Sequence, residues 1–230
     1  MLGCVTIGQA PRDDIVSSML PGTTQGVVQA GALDELTMDE IRALHPTHDE
    51  HPLVSRLRTG EQVRLSKMRL LRHLQAALNR VEGEGATVTC VLCTGAFPGL
   101  TAQGRLVFPD QLLRSVVDVL LPAGTLGVLM PDVGQAELMR SKWEKVDREL
   151  LLATASPYID GDSDFASAAD ALRSGQPELI VMDCMGYTRA MQGWVGAGGN
   201  VPVMLSNGLV GGVLRESGAL VGTFDELQRL

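Results

Sequence analysis

Aromatic side chains are scarce in this chain: two Trp, two Tyr and four Phe among 230 residues. So few rings give no platform for stacking successive bases. Runs of Lys or Arg are missing as well, and the formal net charge is -8, so the basic face that a phosphate backbone requires is not there. Nucleic acid is not an expected partner. No segment approaches the ~20 apolar residues needed to span a bilayer, and Met1-Leu2-Gly3-Cys4-Val5 lacks the basic and apolar regions of a signal peptide. The expectation is a soluble, cytoplasmic protein with no membrane partner. Cysteine is limited to Cys4, Cys90, Cys93 and Cys184, which in that compartment are free thiols. Cys90 and Cys93 have Cys-x-x-Cys spacing, but no second pair completes a zinc site and Cys90 lies within an apolar run. Cys4 and Cys90 are therefore read as core.

What is present is a core built from Leu, Val, Ala and Met, with hydrophobic residues at 45%. Short apolar runs alternate with helical patterns, as in parallel strands joined by crossover helices. Strands are expected over 2–7, 25–29 and 87–92. A helix capped by Ser66 runs to Glu82, with Leu71, Leu74, Leu78 and Val81 on one face, and another capped by Asp110 turns Leu113, Val116, Val117 and Leu120 inward. After Pro122-Ala123-Gly124 the pattern restarts. Strands are expected over 125–130, 151–154, 178–183 and 203–205. Helices are expected over 135–150, with Met139, Trp143, Val146 and Leu150 inward, and over 165–172.

The restart carries a faint internal repeat. Val91-Leu92-Cys93-Thr94-Gly95-Ala96-Phe97 and Met182-Asp183-Cys184-Met185-Gly186-Tyr187 each read as strand end, Cys, any residue, Gly, then an aromatic. The expected architecture is therefore α/β with two pseudo-symmetric lobes, each a short, mostly parallel sheet flanked by helices, and a cleft between them. The first lobe covers 1–105 with an insertion near 30–65, the second 106–206. A C-terminal helix in 207–230 is expected to return to the first lobe.

In open parallel sheets, ligands bind beyond the carboxyl ends of the strands, where Cys93 and Cys184 both fall. Helix N-termini at such positions lower a thiol's pKa and favour thiolate. Two thiols on opposite sides of a substrate carbon suit proton removal from one face and delivery to the other. Either cysteine taken alone reads equally as a small buried hydrophobe. Gly95 and Gly186 leave room for backbone N–H groups to reach a carboxylate.

In Gly8-Gln9-Ala10-Pro11-Arg12, Pro11 suits the first position of a helix running to Leu20. The helix start and the Arg12 fork together suit an anion, unless Arg12 is an ordinary surface residue. Ser206-Asn207-Gly208 opens the last helix, where Ser206 or Asn207 is a cap or a substrate contact. His45, His48 and His51 crowd into one segment. Flanking prolines make it a loop, whereas imidazoles three apart need a helix to converge on a metal, so no metal site is assigned.

These residues resemble the AroM family. Thr6-Ile7-Gly8-Gln9-Ala10-Pro11-Arg12-Asp13-Asp14-Ile15 is similar to its opening signature. Gly31-Ala32-Leu33-Asp34, Arg64-Leu65-Ser66, Leu92-Cys93-Thr94-Gly95 with Phe97-Pro98, and Asp183-Cys184-Met185-Gly186-Tyr187-Thr188 follow in order. Ala96 departs from the acidic residue of many relatives. The family in turn is similar to the aspartate/glutamate racemase superfamily. That similarity implies paired cysteines that need no cofactor, with Cys93 as the first-lobe and Cys184 as the second-lobe acid/base group. It also implies that Thr94 helps hold a substrate carboxylate; related members decarboxylate or isomerise through one cysteine.

The resulting expectation is a cofactor-independent isomerase or racemase-like enzyme, monomeric or homodimeric, acting on a small carboxylic acid. Gly8, Gln9, Arg12, Thr94, Gly95, Gly186, Tyr187, Ser206 and Asn207 are its candidate substrate-binding residues. The rival is a non-catalytic protein that binds a small carboxylate linked to aromatic amino-acid metabolism. A weaker rival is a metal-dependent enzyme using the histidine loop.

Overall fold

Leu2-Gly3-Cys4-Val5-Thr6 carries no side chain too polar to bury, so both of its faces can be covered by helices, as in a parallel sheet. In the computed structural model, which describes residues 1–22 and 26–219, it forms β1 (Leu2–Thr6), buried throughout. The first half continues with α1 (Asp13–Met19), β2 (Val27–Gly31), α2 (Met38–Ala43), β3 (Pro52–Arg56) and β4 (Gln62–Ser66). Then come α3 (Lys67–Gly83), β5 (Val88–Val91), β6 (Arg105–Val107) and α4 (Pro109–Leu120). The second half holds β7 (Gly124–Met130), α5 (Ala136–Trp143), β8 (Arg148–Thr154), α6 (Asp162–Ser174), β9 (Leu179–Met182), α7 (Arg189–Gly196), β10 (Val203–Leu205) and α8 (Ser206–Glu216).

Two four-stranded sheets result, both wholly parallel. Read in corresponding direction, their orders are β6-β5-β1-β2 and β10-β9-β7-β8. The second half thus repeats the first strand for strand. What the first half adds is α2 and the antiparallel hairpin β3-β4, placed between its second and third sheet strands.

Local chemistry explains the boundaries. Ser66 accepts the Arg69 N–H at 3.4 Å and caps α3, as one of the residues suited to that position. The buried face of α3 is Leu70, Leu74, Ala77, Leu78 and Val81, with Leu71 at its margin. Val210 and Leu214 of α8 join Leu2, Cys4, Ile15 and Met19 in one apolar cluster of the first lobe, and α8 comes so near that a Cβ on Gly211 would meet the Met19 carbonyl.

Three expected elements are corrected. The helix drawn over 135–150 ends at Trp143, because Arg148–Thr154 pairs with β7 along its whole length. Seven ladder positions outweigh an apolar spacing that also fits a helix. Val146 is then fully exposed, and Leu150 lies in a strand. Arg148, at the strand's start, is buried and donates to the Leu121 carbonyl and Asp118. In α4, Phe108 is the cap and Pro109 the first helical residue; Asp110 lies inside the helix, and Leu120 faces solvent. Finally, α1 begins at Asp13, after a cis Ala10–Pro11 bond, so Pro11 is not its first residue. The expected strand at 25–29 is found at Val27–Gly31, with Gln25 outside the described residues, as are residues 220–230 of the expected C-terminal helix.

Candidate active site

β5 and β9 occupy equivalent places in the two sheets, and each ends two residues before a cysteine. The residue before each cysteine still bonds to the central strand: the Leu92 N–H donates to the Val5 carbonyl at 2.7 Å, and the Asp183 N–H to the Leu129 carbonyl at 2.8 Å. The chain then folds back tightly. The N–H groups of Cys93 and Cys184 donate to the Val91 and Met182 carbonyls, and those of Gly95 and Gly186 donate to the cysteine sulfurs at 3.3 and 3.4 Å. The Cys-x-Gly repeat is thus one turn built twice, and its glycine amides serve the sulfurs rather than standing free for a carboxylate.

Both thiols line one cavity of about 30 Å³, together with Thr94, Gly95, Gly186 and Tyr158. That volume is room for about one water. Its lid comes from the added hairpin, as Leu53, Val54 and Ser55 of β3 line it. Ser55 is buried, and its hydroxyl has no partner among the described residues; it lies against Gly8, where a Cβ would meet its Oγ. The hairpin is tied to the second lobe. Gln135 Nε2 donates to the Pro52 carbonyl at 2.8 Å, Ser156 Oγ to Gln62 Oε1 at 2.5 Å, and Arg64 Nη2 to Asp132 Oδ1 at 3.1 Å.

The groups flanking the thiols differ. Around Cys93 stand Lys142 and Asp183. Lys142 Nζ donates to the Thr94 carbonyl at 2.8 Å and to Asp183 Oδ1 at 2.9 Å, while the other carboxylate oxygen of Asp183 accepts the Trp143 indole N–H at 2.6 Å. Thr94 Oγ1 donates to the Asp183 carbonyl at 3.2 Å, another bond between lobes. Beside Cys184 stand Tyr158 and Arg12. Arg12 donates to Asp14 through two bonds, at 3.0 and 2.9 Å, and to the Tyr158 hydroxyl at 3.3 Å. That hydroxyl lies where a side chain on residue 186 would have to go, which explains Gly186.

Burial raises both thiol pKa values, Cys93 to about 12 and Cys184 to about 11. The Gly95 amide and the Lys142 charge pull Cys93 down, but desolvation outweighs them; the Gly186 amide, the Arg12 charge and the Tyr158 hydroxyl do the same for Cys184. The expectation of thiolates favoured by helix starts is therefore corrected: in this closed cavity both are protonated at neutral pH.

Among the expected site residues, Cys93, Thr94, Gly95, Cys184 and Gly186 meet at the cavity. The others do not line it. Gln9 holds the Leu33 carbonyl and the Arg58 N–H. Arg12 is neither a surface residue nor a free anion fork: it is 1% exposed and paired with Asp14. Tyr187 donates to the Ala155 carbonyl and packs edge-on against Phe165. Ser206 and Asn207 are wholly buried and cap nothing. Ser206 donates to the Met182 carbonyl at 2.5 Å, and Asn207 to the Met185 and Tyr187 carbonyls at 3.0 and 2.6 Å, bracing the Cys184 turn from beneath. Tyr158, Lys142 and Ser55 belong to the site but lie in no repeat; only their spatial neighbours mark them. The His45–His51 segment is a loop with His48 fully exposed, and among the described residues no three His, Cys, Asp or Glu side chains could hold a metal ion.

The paired parallel sheets define a two-lobed α/β fold that several solved enzymes share. A crystal structure of arylmalonate decarboxylase superposes with a TM-score of 0.62 at 12% identity, covering 97% of this chain and 94% of that one. Glutamate racemase from Francisella tularensis subsp. tularensis SCHU S4, in complex with D-glutamate, gives 0.58 at 11% identity over 96% and 83%. Allantoin racemase from Klebsiella pneumoniae gives 0.59 at 13% identity over 96% and 88%. No curated protein matches the chain in sequence. Within this fold the chain belongs to the AroM family, described as "AroM protein", which matches residues 2–217. Among the described residues no helix is long and apolar enough to cross a membrane.

Proposed function

We propose that the protein is a cofactor-independent isomerase or racemase-like enzyme acting on a small carboxylic acid, with Cys93 and Cys184 as its acid/base pair. One observation carries this reading: the two thiols sit on equivalent turns of duplicated lobes and line the same cavity. A carbon held there meets a sulfur from each lobe, which is the arrangement that proton removal and return require. The similar folds bear names that span racemisation and decarboxylation, and in either reaction a proton is delivered to carbon.

The closed cavity fits this role as a resting form. A half-buried, desolvated thiol near pKa 11 or 12 is a proton donor; to become a base it needs hydration or a nearby cation. Substrate entry must part the hairpin from the second lobe, since about 30 Å³ admits no acid whole. Opening hydrates the sulfurs and lowers both values, and re-closure over the substrate brings Lys142 and Arg12 back to favour the thiolates. Thr94, Gly95 and Gly186 stand beside the carboxylate's place, the two glycine amides becoming available to it only when they leave the sulfurs.

The test is exchange of the α-hydrogen. Amino, hydroxy and arylmalonic acids are incubated in heavy water and followed by NMR. At least one acid is expected to take up deuterium, and Cys93→Ser and Cys184→Ser are each expected to abolish its racemisation. If no acid exchanges while several shift the melting temperature, the protein is a carboxylate-binding one instead.

A further inference from the structure

The cavity between the thiols leaves no place for a substrate's larger substituent, yet a second pocket adjoins it. This pocket measures about 180 Å³ and shares Leu53, Thr94, Gly95, Leu138 and Met139 with the first. It exceeds the roughly 150 Å³ that accommodates a benzene ring in a protein core. Its outer wall is polar: Lys67 at the start of α3, and Asp110 and Arg114 on α4.

Asp110 is 5% exposed, and its Oδ1 has no hydrogen-bond partner among the described residues. Such a buried acceptor is costly unless something donates to it. Lys67 and Arg114 make no ion pair or hydrogen bond with a described residue, Lys67 resting only on the Phe97 ring at 5.6 Å. The pocket's third cation, Lys142, is already matched by Asp183. Two uncommitted donors therefore surround one uncommitted acceptor, next to the thiols and at the scale of a ring.

We propose that this pocket is the subsite for the substituent on the reacting carbon and that it takes a hydroxylated ring. A ring hydroxyl donates to Asp110, and ring oxygens accept from Lys67 and Arg114, while Leu53, Leu138 and Met139 cover the hydrocarbon faces. This rests on the acid/base reading of the thiols, which fixes the reacting carbon, and adds which acids that centre selects. An unsubstituted aryl group would leave Asp110 without a donor and is disfavoured.

The probes are mandelate and its dihydroxy derivative, and the readout is protection of Cys93 from iodoacetamide, measured by mass spectrometry of the labelled peptide. The dihydroxy acid is expected to protect at a roughly tenfold lower concentration. Asp110→Leu is expected to erase that preference. Arg114 is exposed, so Arg114→Ala disturbs the fold little and is expected to narrow the preference several-fold. If both acids protect equally, or the preference survives in both variants, the subsite assignment is overturned while the thiol reading stands. If neither acid protects, the assignment is also overturned, and α-hydrogen exchange with the wider panel decides the thiol reading separately.

Discussion

The Cys93 and Cys184 turns share their backbone and differ in everything around it. Each accepts a glycine N–H at its sulfur. Cys93, from the first lobe, is flanked by a lysine and a buried aspartate from the second. Cys184, from the second lobe, is flanked by an arginine from the first and a tyrosine of its own. The turn is common to both lobes; the electrostatics are not. In both cases the cation is contributed by the opposite half of the chain. Thiol chemistry is therefore coupled to lobe closure: parting the lobes adds water to each sulfur and removes its cation.

The comparison breaks most forcefully at Asp183. Its side chain is 0% exposed and holds Lys142, itself 10% exposed. Asp183→Ala is expected to cost about 3–5 kcal/mol by denaturant unfolding, as a buried cation loses its partner. Asp183→Asn, which can still accept from Trp143, should lose less.

Next comes the brace beneath the second turn. Asn207→Ala leaves the Met185 and Tyr187 carbonyls unpaired, an expected loss of about 1–3 kcal/mol. Iodoacetamide labelling of Cys184 should rise while that of Cys93 stays level. Equal acceleration of both thiols would show that the turns are not independently supported. Tyr158→Phe is smaller, about 0.5–1.5 kcal/mol for the lost bond to Arg12. The hydroxyl holds the Cys184 pKa down, so the labelling profile of Cys184 should move to higher pH in this variant and that of Cys93 should not.

The effect of pH is the least visible near neutrality. Both folded thiol values lie above the ordinary 9.0. Below about pH 9 folded and unfolded chains carry the same thiol protons, and this source of stability is intact. Above it the unfolded chain releases them first, so stability is expected to fall as pH rises from about 9 towards 11 and 12. Burial raises Cys4 and Cys90 as well, so replacing Cys93 and Cys184 with Ala should lessen that decline without removing it in urea titrations at stepped pH.

Much of this was legible in the sequence because it rested on local rules. Ser66 as a cap, the strand at Val203–Leu205 and the paired Cys-x-Gly turns follow from residue type and spacing. What failed was decided by distant partners. Leu150 and Val146 fit a helix until β7 claims the segment as a strand. Ser206 and Asn207 resemble a cap, but the buried carbonyls of the Cys184 turn claim their side chains. The thiol pKa values are not legible in sequence, because helix starts are visible there and the closing hairpin's desolvation is not. Tyr158 and Lys142 had no repeat or spacing to mark them.

The place of α8 has a consequence in time. Val210 and Leu214 complete the apolar cluster around Leu2, Cys4, Ile15 and Met19, yet they are made last. The first sheet has all its strands once Val107 has left the ribosome, but roughly a hundred residues remain before its final cover arrives. At ordinary rates of synthesis that is about 5–20 s. Over that interval the nascent first lobe presents an uncovered apolar face, and anything that slows translation of the second half prolongs its exposure to chaperones and proteases.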